Sequence, residues 1–310
     1  MTRRKAIAVW TLVTLVFAGT VAALALDREH KVLDATARAT APGKFVRLRD
    51  GITHYDIAGP DSGRTVVLLS GATVPYYLWE PTLDALVANG FRVVRYDYFG
   101  RSYSDRPKLA YDLATYDGQL AELLDSLGLR GPVDVAGVSM GGVVATNFAD
   151  KHADRVRSLT LVDPYFGRAD GTPLPLRLPG VGNFIMTLAA SSMARGQRGD
   201  FLHPERYPDW VARYEVQMQY EGFRRALLAT MRGDVLKRSS SSFPALAKGT
   251  VPILLLWGTS DSTAPFTDNR KVRAAFPRAE FHAIDGAAHL PQIEQATIVD
   301  SLFVGFLRKH

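Results

Sequence analysis

Cysteine is absent from this 310-residue chain, which rules out disulfides, thiolate nucleophiles and cysteine-ligated metals. Also missing is any group of histidines and carboxylates at metal-ligand spacing, so neither a metal nor a cofactor is expected. No segment repeats elsewhere in the chain, which argues against an architecture of short stacked units. The formal charge of +6 is small, and Arg3, Arg4 and Lys5 supply part of it. The other cations are scattered, with no basic block interleaved with aromatics, so nucleic acid is not an expected partner. What remains, 47% hydrophobic and 22% charged residues, is the balance of an ordinary globular enzyme.

The one long stretch without charge is Ala6 to Leu26. It is long enough to cross a hydrocarbon core as a helix. Basic residues precede it and Asp27-Arg28-Glu29 follow it, an asymmetry that places the N-terminus inside and the remainder outside the cytoplasm. The expectation is a membrane anchor with an external catalytic part. The alternative is a cleaved signal peptide, with Ala23-Leu24-Ala25 as a small-residue cleavage site and a secreted or periplasmic product.

Beyond a polar, alanine-rich stretch, period-two alternation in Lys44–Arg49 and Ile52–Ile57 around Asp50-Gly51 predicts a hairpin. Thr65–Leu69 and Phe91–Tyr96 are β-branched runs separated by a helical stretch, the pattern of parallel strands joined by a crossover helix. Asp112–Leu127 has apolar residues at helical spacing. Pro132–Ala136 and Ser158–Asp163 read as further strands, and Pro252–Trp257 and Glu280–Ile284 resume the alternation later. Between these two halves the chain has prolines, glycines and helical pieces, of which Val211–Tyr220 and Phe223–Leu236 are the best formed. The expected architecture is a doubly wound, mostly parallel α/β sheet interrupted by a helical cap. Its expected divisions are an anchor or signal at 1–26, a linker at 27–43, a core at 44–163 and 250–310, and the cap at 164–249.

Chemistry concentrates in Gly137-Val138-Ser139-Met140-Gly141, the only G-x-S-x-G in the chain, set between an apolar strand and a buried-type helix. This is the nucleophile-elbow pattern. A serine hydroxyl needs a neighbouring base to take its proton, and that base needs a carboxylate to orient it. Asp261 stands just beyond one predicted strand and His289 just beyond the last. Asp163, also at a strand end, is the rival carboxylate.

On these segments the chain resembles the α/β-hydrolase fold superfamily, specifically its cap-bearing serine hydrolases. The resemblance runs from about Lys44 to the C-terminus. It is carried by Leu68-Leu69-Ser70-Gly71, by Asp97–Pro107, by the elbow and by the acid and histidine loops. Ser102 stands where the family more often has glycine. The resemblance implies a catalytic set of Ser139, Asp261 and His289, with backbone N–H groups of Met140 and Ala72 (Thr73 as alternate) forming the oxyanion hole. It disfavours dehalogenase and epoxide hydrolase chemistry, both of which need aspartate at Ser139. The expected activity is hydrolysis of a carboxylic ester, of a lipophilic acyl substrate if the anchor and cap act together. A C–C bond hydrolase of ring-cleavage dienoates on the same residues is the alternative, and a noncatalytic binding protein on the same fold is the alternative of another class. Tyr76, Tyr77, Trp79, Phe166, Phe184, Trp210, Met186, Met218 and Met231 are candidates to line an apolar acyl pocket, although core packing explains each one singly. Expected partners are a small-molecule or lipid ester and, through the first helix, the membrane.

Overall fold

Aliphatic runs bury both faces of a strand only when helices cover both sides of the sheet. The computed structural model, which describes residues 3–167 and 171–310, has that arrangement. Its eight strands are β1 (Lys44–Arg47), β2 (Ile52–Ala58), β3 (Thr65–Leu69), β4 (Arg92–Tyr96), β5 (Val133–Val138), β6 (Val156–Val162), β7 (Ile253–Gly258) and β8 (Glu280–Ile284). They lie in the order β1-β2-β4-β3-β5-β6-β7-β8. β1–β2 and β2–β4 pair antiparallel at one edge, and every pairing from β4–β3 across to β8 is parallel. Alternation then sorts the side chains. In β3, Val66 and Leu68 join Leu83, Leu86 and Phe303 on one face, while Val67 and Leu69 join Leu120, Leu124 and Phe148 on the other. β7 repeats the division with Leu254 and Leu256 against Leu255 and Trp257.

The main helices are α1 (Arg3–Leu26), α2 (Glu80–Ala88), α3 (Leu113–Ser126), α4 (Met140–Lys151), α5 (Val181–Gly196), α6 (Trp210–Met218), α7 (Phe223–Arg232), α8 (Asn269–Ala275) and α9 (Ala296–Lys309). Local chemistry sets several of their ends. Asp112 caps α3 by accepting from the Thr115 N–H at 2.9 Å. α2 carries Pro81 in its first turn, where no backbone donor is needed. Residues between β6 and β7 form α5, α6, α7 and short helical turns over the C-terminal ends of the strands. α5 is the longest of them, and its mixed Asn, Thr, Ser and Ala content hides it from periodicity. Residues 1–2 of the expected anchor and 168–170 of the expected cap lie outside the described residues.

The membrane expectation is corrected. Among the described residues no helix is long and apolar enough to cross a membrane. The first turn of α1 holds Arg3, Arg4 and Lys5. α1 packs instead against α5, where Gly19 lies so near Phe184 that a Cβ there would stand 3.2 Å from the ring. The residues after α1 are bound to the cap. Glu29 accepts from the Gly222 N–H at 2.8 Å and the Arg224 N–H at 2.6 Å, at the N-terminus of α7 where helix donors lack partners. Arg28 pairs with Glu215 at 2.6 Å and Arg224 with Asp27 at 2.9 Å. The membrane partner, and the placement of the catalytic part outside the cytoplasm, lose their basis with the anchor.

Candidate active site

Sheet order locates the site. The chain passes from β3 outward to β4 and then returns to the other side of β3 as β5, so connections leave the β3–β5 pair in opposite directions. A crevice opens at such a switch point beyond the carboxyl ends of the strands. The turn after β3 brings Gly71 and Ala72 there, and the turn after β5 brings Ser139.

Ser139 has φ 55 and ψ −123, a strained conformation for a residue with a side chain. Glycine on both sides permits it. A Cβ on Gly137 would lie 2.2 Å from the Gly141 carbonyl oxygen, and one on Gly141 would lie 2.4 Å from that of Ser70. The Ser139 N–H donates to Val162 O at 3.0 Å, which ties the elbow to β6. Met140 is the first residue of α4, so its N–H has no acceptor within the helix.

His289 and Asp261 meet as the sequence pairs them. His289 Nδ1 lies 2.8 Å from Asp261 Oδ2, and both side chains are buried. Asp261 Oδ1 accepts from the Thr263 N–H at 2.8 Å and the Ala264 N–H at 3.0 Å, which fixes the carboxylate. Burial alone would push the imidazole down. The hydrogen bond and charge of Asp261, reinforced by the charge of Asp200, outweigh it and hold the pKa above its ordinary value. Ser139 and His289 line one cavity of about 260 Å³, with no hydrogen bond between them. Such bonds are often long before substrate arrives. Asp163 lies in the same cluster, with Oδ1 accepting from the Gly258 N–H at 2.9 Å, and it makes no bond to the imidazole.

The turn carrying Ala72 is held by residues that the sequence reading passed over. Arg101, buried, donates through Nε to the Ala72 carbonyl and through Nη2 to Thr230 Oγ1 at 3.0 Å. Gln217 donates to the Thr73 carbonyl at 2.8 Å and accepts from the Ser102 N–H at 3.0 Å. Ser102 has φ 43, which accounts for the glycine commoner at this position in the resembling family. Arg101 stands inside the Asp97–Pro107 motif, so its position was visible although its partner was not.

The cavity wall differs from the expected one. None of the nine candidate aromatics and methionines lines it; Val74, Leu78, Val138, Tyr165, Leu236 and Leu290 do. Two polar residues enter from the cap, Gln197 and Asp200. The Asp200 carbonyl accepts from the His289 N–H at 3.0 Å, and its carboxylate accepts from Thr263 Oγ1 at 3.1 Å. Burial raises the Asp200 pKa, against the opposing pull of His289. No pattern in the sequence marks Gln197 or Asp200, because both sit in short turns without periodicity. Among the described residues, no lysine or arginine lines this cavity.

A strained serine on a strand-to-helix turn, beside a carboxylate-bound histidine at the switch point of a parallel sheet, defines a class of protein. Residues 64–296 match the family described as alpha/beta hydrolase fold, and the chain belongs to that family. It is 27% identical over 290 residues to a 2-hydroxy-6-oxononadienedioate/2-hydroxy-6-oxononatrienedioate hydrolase of Dechloromonas aromatica, a match covering 88% of this chain and 97% of that protein. Among solved structures it is similar to the enol-lactonase of Burkholderia xenovorans, with a TM-score of 0.71 at 24% identity, over 86% of this chain and 100% of that one. A thermophilic esterase from Thermogutta terrifontis gives the same TM-score and identity, over 86% and 99%.

Proposed function

We propose that this protein is a serine hydrolase that cleaves small, uncharged carboxylic esters through an acyl-enzyme. The observation that carries the proposal is the 2.8 Å pairing of Asp261 with His289 at the rim of the cavity that contains Ser139. Ser139 Oγ attacks the ester carbonyl while His289 Nε2 takes its proton, and Asp261 holds the ring with Nδ1–H toward itself. The N–H groups of Met140 and Ala72 stabilise the oxyanion that forms. The imidazolium then gives its proton to the departing alkoxide. Water, deprotonated in turn by His289, releases the acid and restores Ser139.

Cavity size and charge set the substrate class. About 260 Å³ lies at the small end for ligand sites, which favours a short acyl group over a long lipid chain. The similarity to a dienedioate hydrolase supports C–C bond hydrolysis as the second reading. A dicarboxylate, however, would face Asp200 with no cation among the described lining residues to receive it, and like charges in a confined site repel. The ester reading is therefore preferred, and a noncatalytic binding role would leave the strained elbow without purpose.

The test is a chain-length series of neutral acyl esters, with a dienoate assayed in parallel, on the wild type and on Ser139→Ala. Turnover should be greatest with short acyl groups and disappear in the variant. Dienoate cleavage without ester cleavage would favour the second reading, and no turnover of either would favour the noncatalytic one.

A further inference from the structure

Behind the Asp261–His289 pair lies a second carboxyl that the proposed reaction does not use. Asp163 follows β6 immediately, wholly buried, with φ 42, a conformation that aspartate and asparagine tolerate better than most residues. Its Oδ1 accepts from the Gly258 N–H, while its Oδ2 is buried without a partner. One oxygen of Asp163, one of Asp261 and one ring nitrogen of His289 all lie within 4.8 Å of one another. Two carboxylates this near each other and out of water resist ionising together.

Donor supply favours charge on Asp261 rather than on Asp163. Asp261 receives the N–H groups of Thr263 and Ala264 on Oδ1 and the imidazole on Oδ2, three donors that favour its charged form. Asp163 receives a single amide. Burial and then the charge of Asp261 push the Asp163 carboxyl well above the usual carboxylate range, with the Gly258 amide opposing and Glu294 adding to the rise. The other titratable groups around this cluster are His289 itself and Asp200, which faces the imidazole from the cap.

We propose that Asp163 is a positioning residue, a neutral carboxyl whose Oδ2–H donates a hydrogen bond to the Asp261 carboxylate behind His289. This rests on the proposed role of Asp261 as the carboxylate that orients the base. The bond draws part of the Asp261 charge away from the imidazole. His289 then stays neutral, and able to accept the Ser139 proton, at lower pH than beside Asp261 alone. It also gives Asp163 Oδ2 its missing partner, and no proton is transferred in the process.

The pH dependence of kcat/KM separates the alternatives. Asp163→Asn keeps an acceptor for Gly258, an N–H donor for Asp261 and a neutral side chain, so its acid limb should coincide with that of the wild type. Asp163→Gly tolerates the positive φ and removes the donor, so its limb should move up by roughly half a pH unit or more. A limb that moves down in Asp163→Asn would mean that Asp163 is ionised, and an unmoved limb in Asp163→Gly would mean that it does not act on Asp261; either overturns the proposal. Difference infrared spectra of the wild type against Asp163→Asn need neither turnover nor the glycine variant. A neutral-carboxyl band at neutral pH supports the proposal, and its absence overturns it. A wild type that hydrolyses no ester would overturn the reaction reading, while the infrared comparison would still decide the state of Asp163.

Discussion

Among the described residues two buried aspartate–histidine pairs have nearly equal length; both line cavities, but only the cavity of His289 contains the strained Ser139. His54 Nδ1 lies 2.6 Å from Asp97 Oδ2, and His289 Nδ1 lies 2.8 Å from Asp261 Oδ2. The difference is at the other nitrogen. His54 Nε2 lies 2.5 Å from the Pro42 carbonyl and 3.5 Å from the Tyr76 hydroxyl, so both ring nitrogens are engaged within the protein. Asp97 also accepts from the Tyr76 N–H at 2.8 Å, which binds the Asp97 turn to the helical turn at Tyr76. That pair is a clamp among four segments, the stretch at Pro42, β2, the Asp97 turn and the helical turn at Tyr76. His289 has no such partner at Nε2 and lines the cavity with Ser139. An aspartate beside a histidine therefore has no fixed meaning; what the far nitrogen faces decides between scaffold and base.

The largest contrast should come from deleting each histidine. His289→Ala should lower kcat/KM by roughly 10⁴-fold or more with a small change in melting temperature. His54→Ala should instead cost about 3 kcal/mol of stability, because it strands a buried carboxylate, while kcat per folded molecule is kept. Equal loss of activity in the two variants, measured at matched folded fraction, would erase the distinction. The aspartates should follow in the same order. Asp261→Asn should slow turnover by roughly 10³- to 10⁴-fold by presenting the wrong tautomer, whereas Asp97→Asn should appear mainly in thermal melts.

Both pairs lie in segments marked in the sequence, and only one was expected to be chemical. The elbow was legible because Gly-x-Ser-x-Gly records a backbone constraint, and the structure shows the constraint as clashes of 2.2 and 2.4 Å for any Cβ at Gly137 and Gly141. The strands were legible because burial on both faces leaves a continuous aliphatic run, as in Leu254-Leu255-Leu256. Contacts between distant segments left no such record. The inward turn of Asp200, the hold of Arg101 on Ala72 and the bond of Gln217 to Thr73 each join residues far apart in the chain. The N-terminal stretch misled for a related reason. Lack of charge points to membrane affinity, but the packing of α1 on α5 is a tertiary contact that hydropathy does not contain.

Smaller effects sharpen the comparison around His289. Neutral imidazole is the proposed base, so kcat/KM should rise with pH through a pKa above the ordinary histidine value of about 6.5. Asp200 contributes to that rise, so Asp200→Asn should move the limb to lower pH in a pH-rate profile. No corresponding limb should change in His54→Ala. The smallest expected effect is on selectivity: Asp200→Asn should narrow the preference for neutral over anionic esters of equal size by several-fold, read as the ratio of kcat/KM values at low salt. An unchanged ratio would remove Asp200 from substrate selection.

The central claim is tested most directly by reacting the folded protein with a fluorophosphonate probe and mapping the adduct by peptide mass spectrometry. The account predicts a single adduct on Ser139, absent in Ser139→Ala, strongly slowed in His289→Ala and formed at the wild-type rate in His54→Ala. An adduct elsewhere, or labelling of Ser139 that proceeds equally fast without His289, would contradict it.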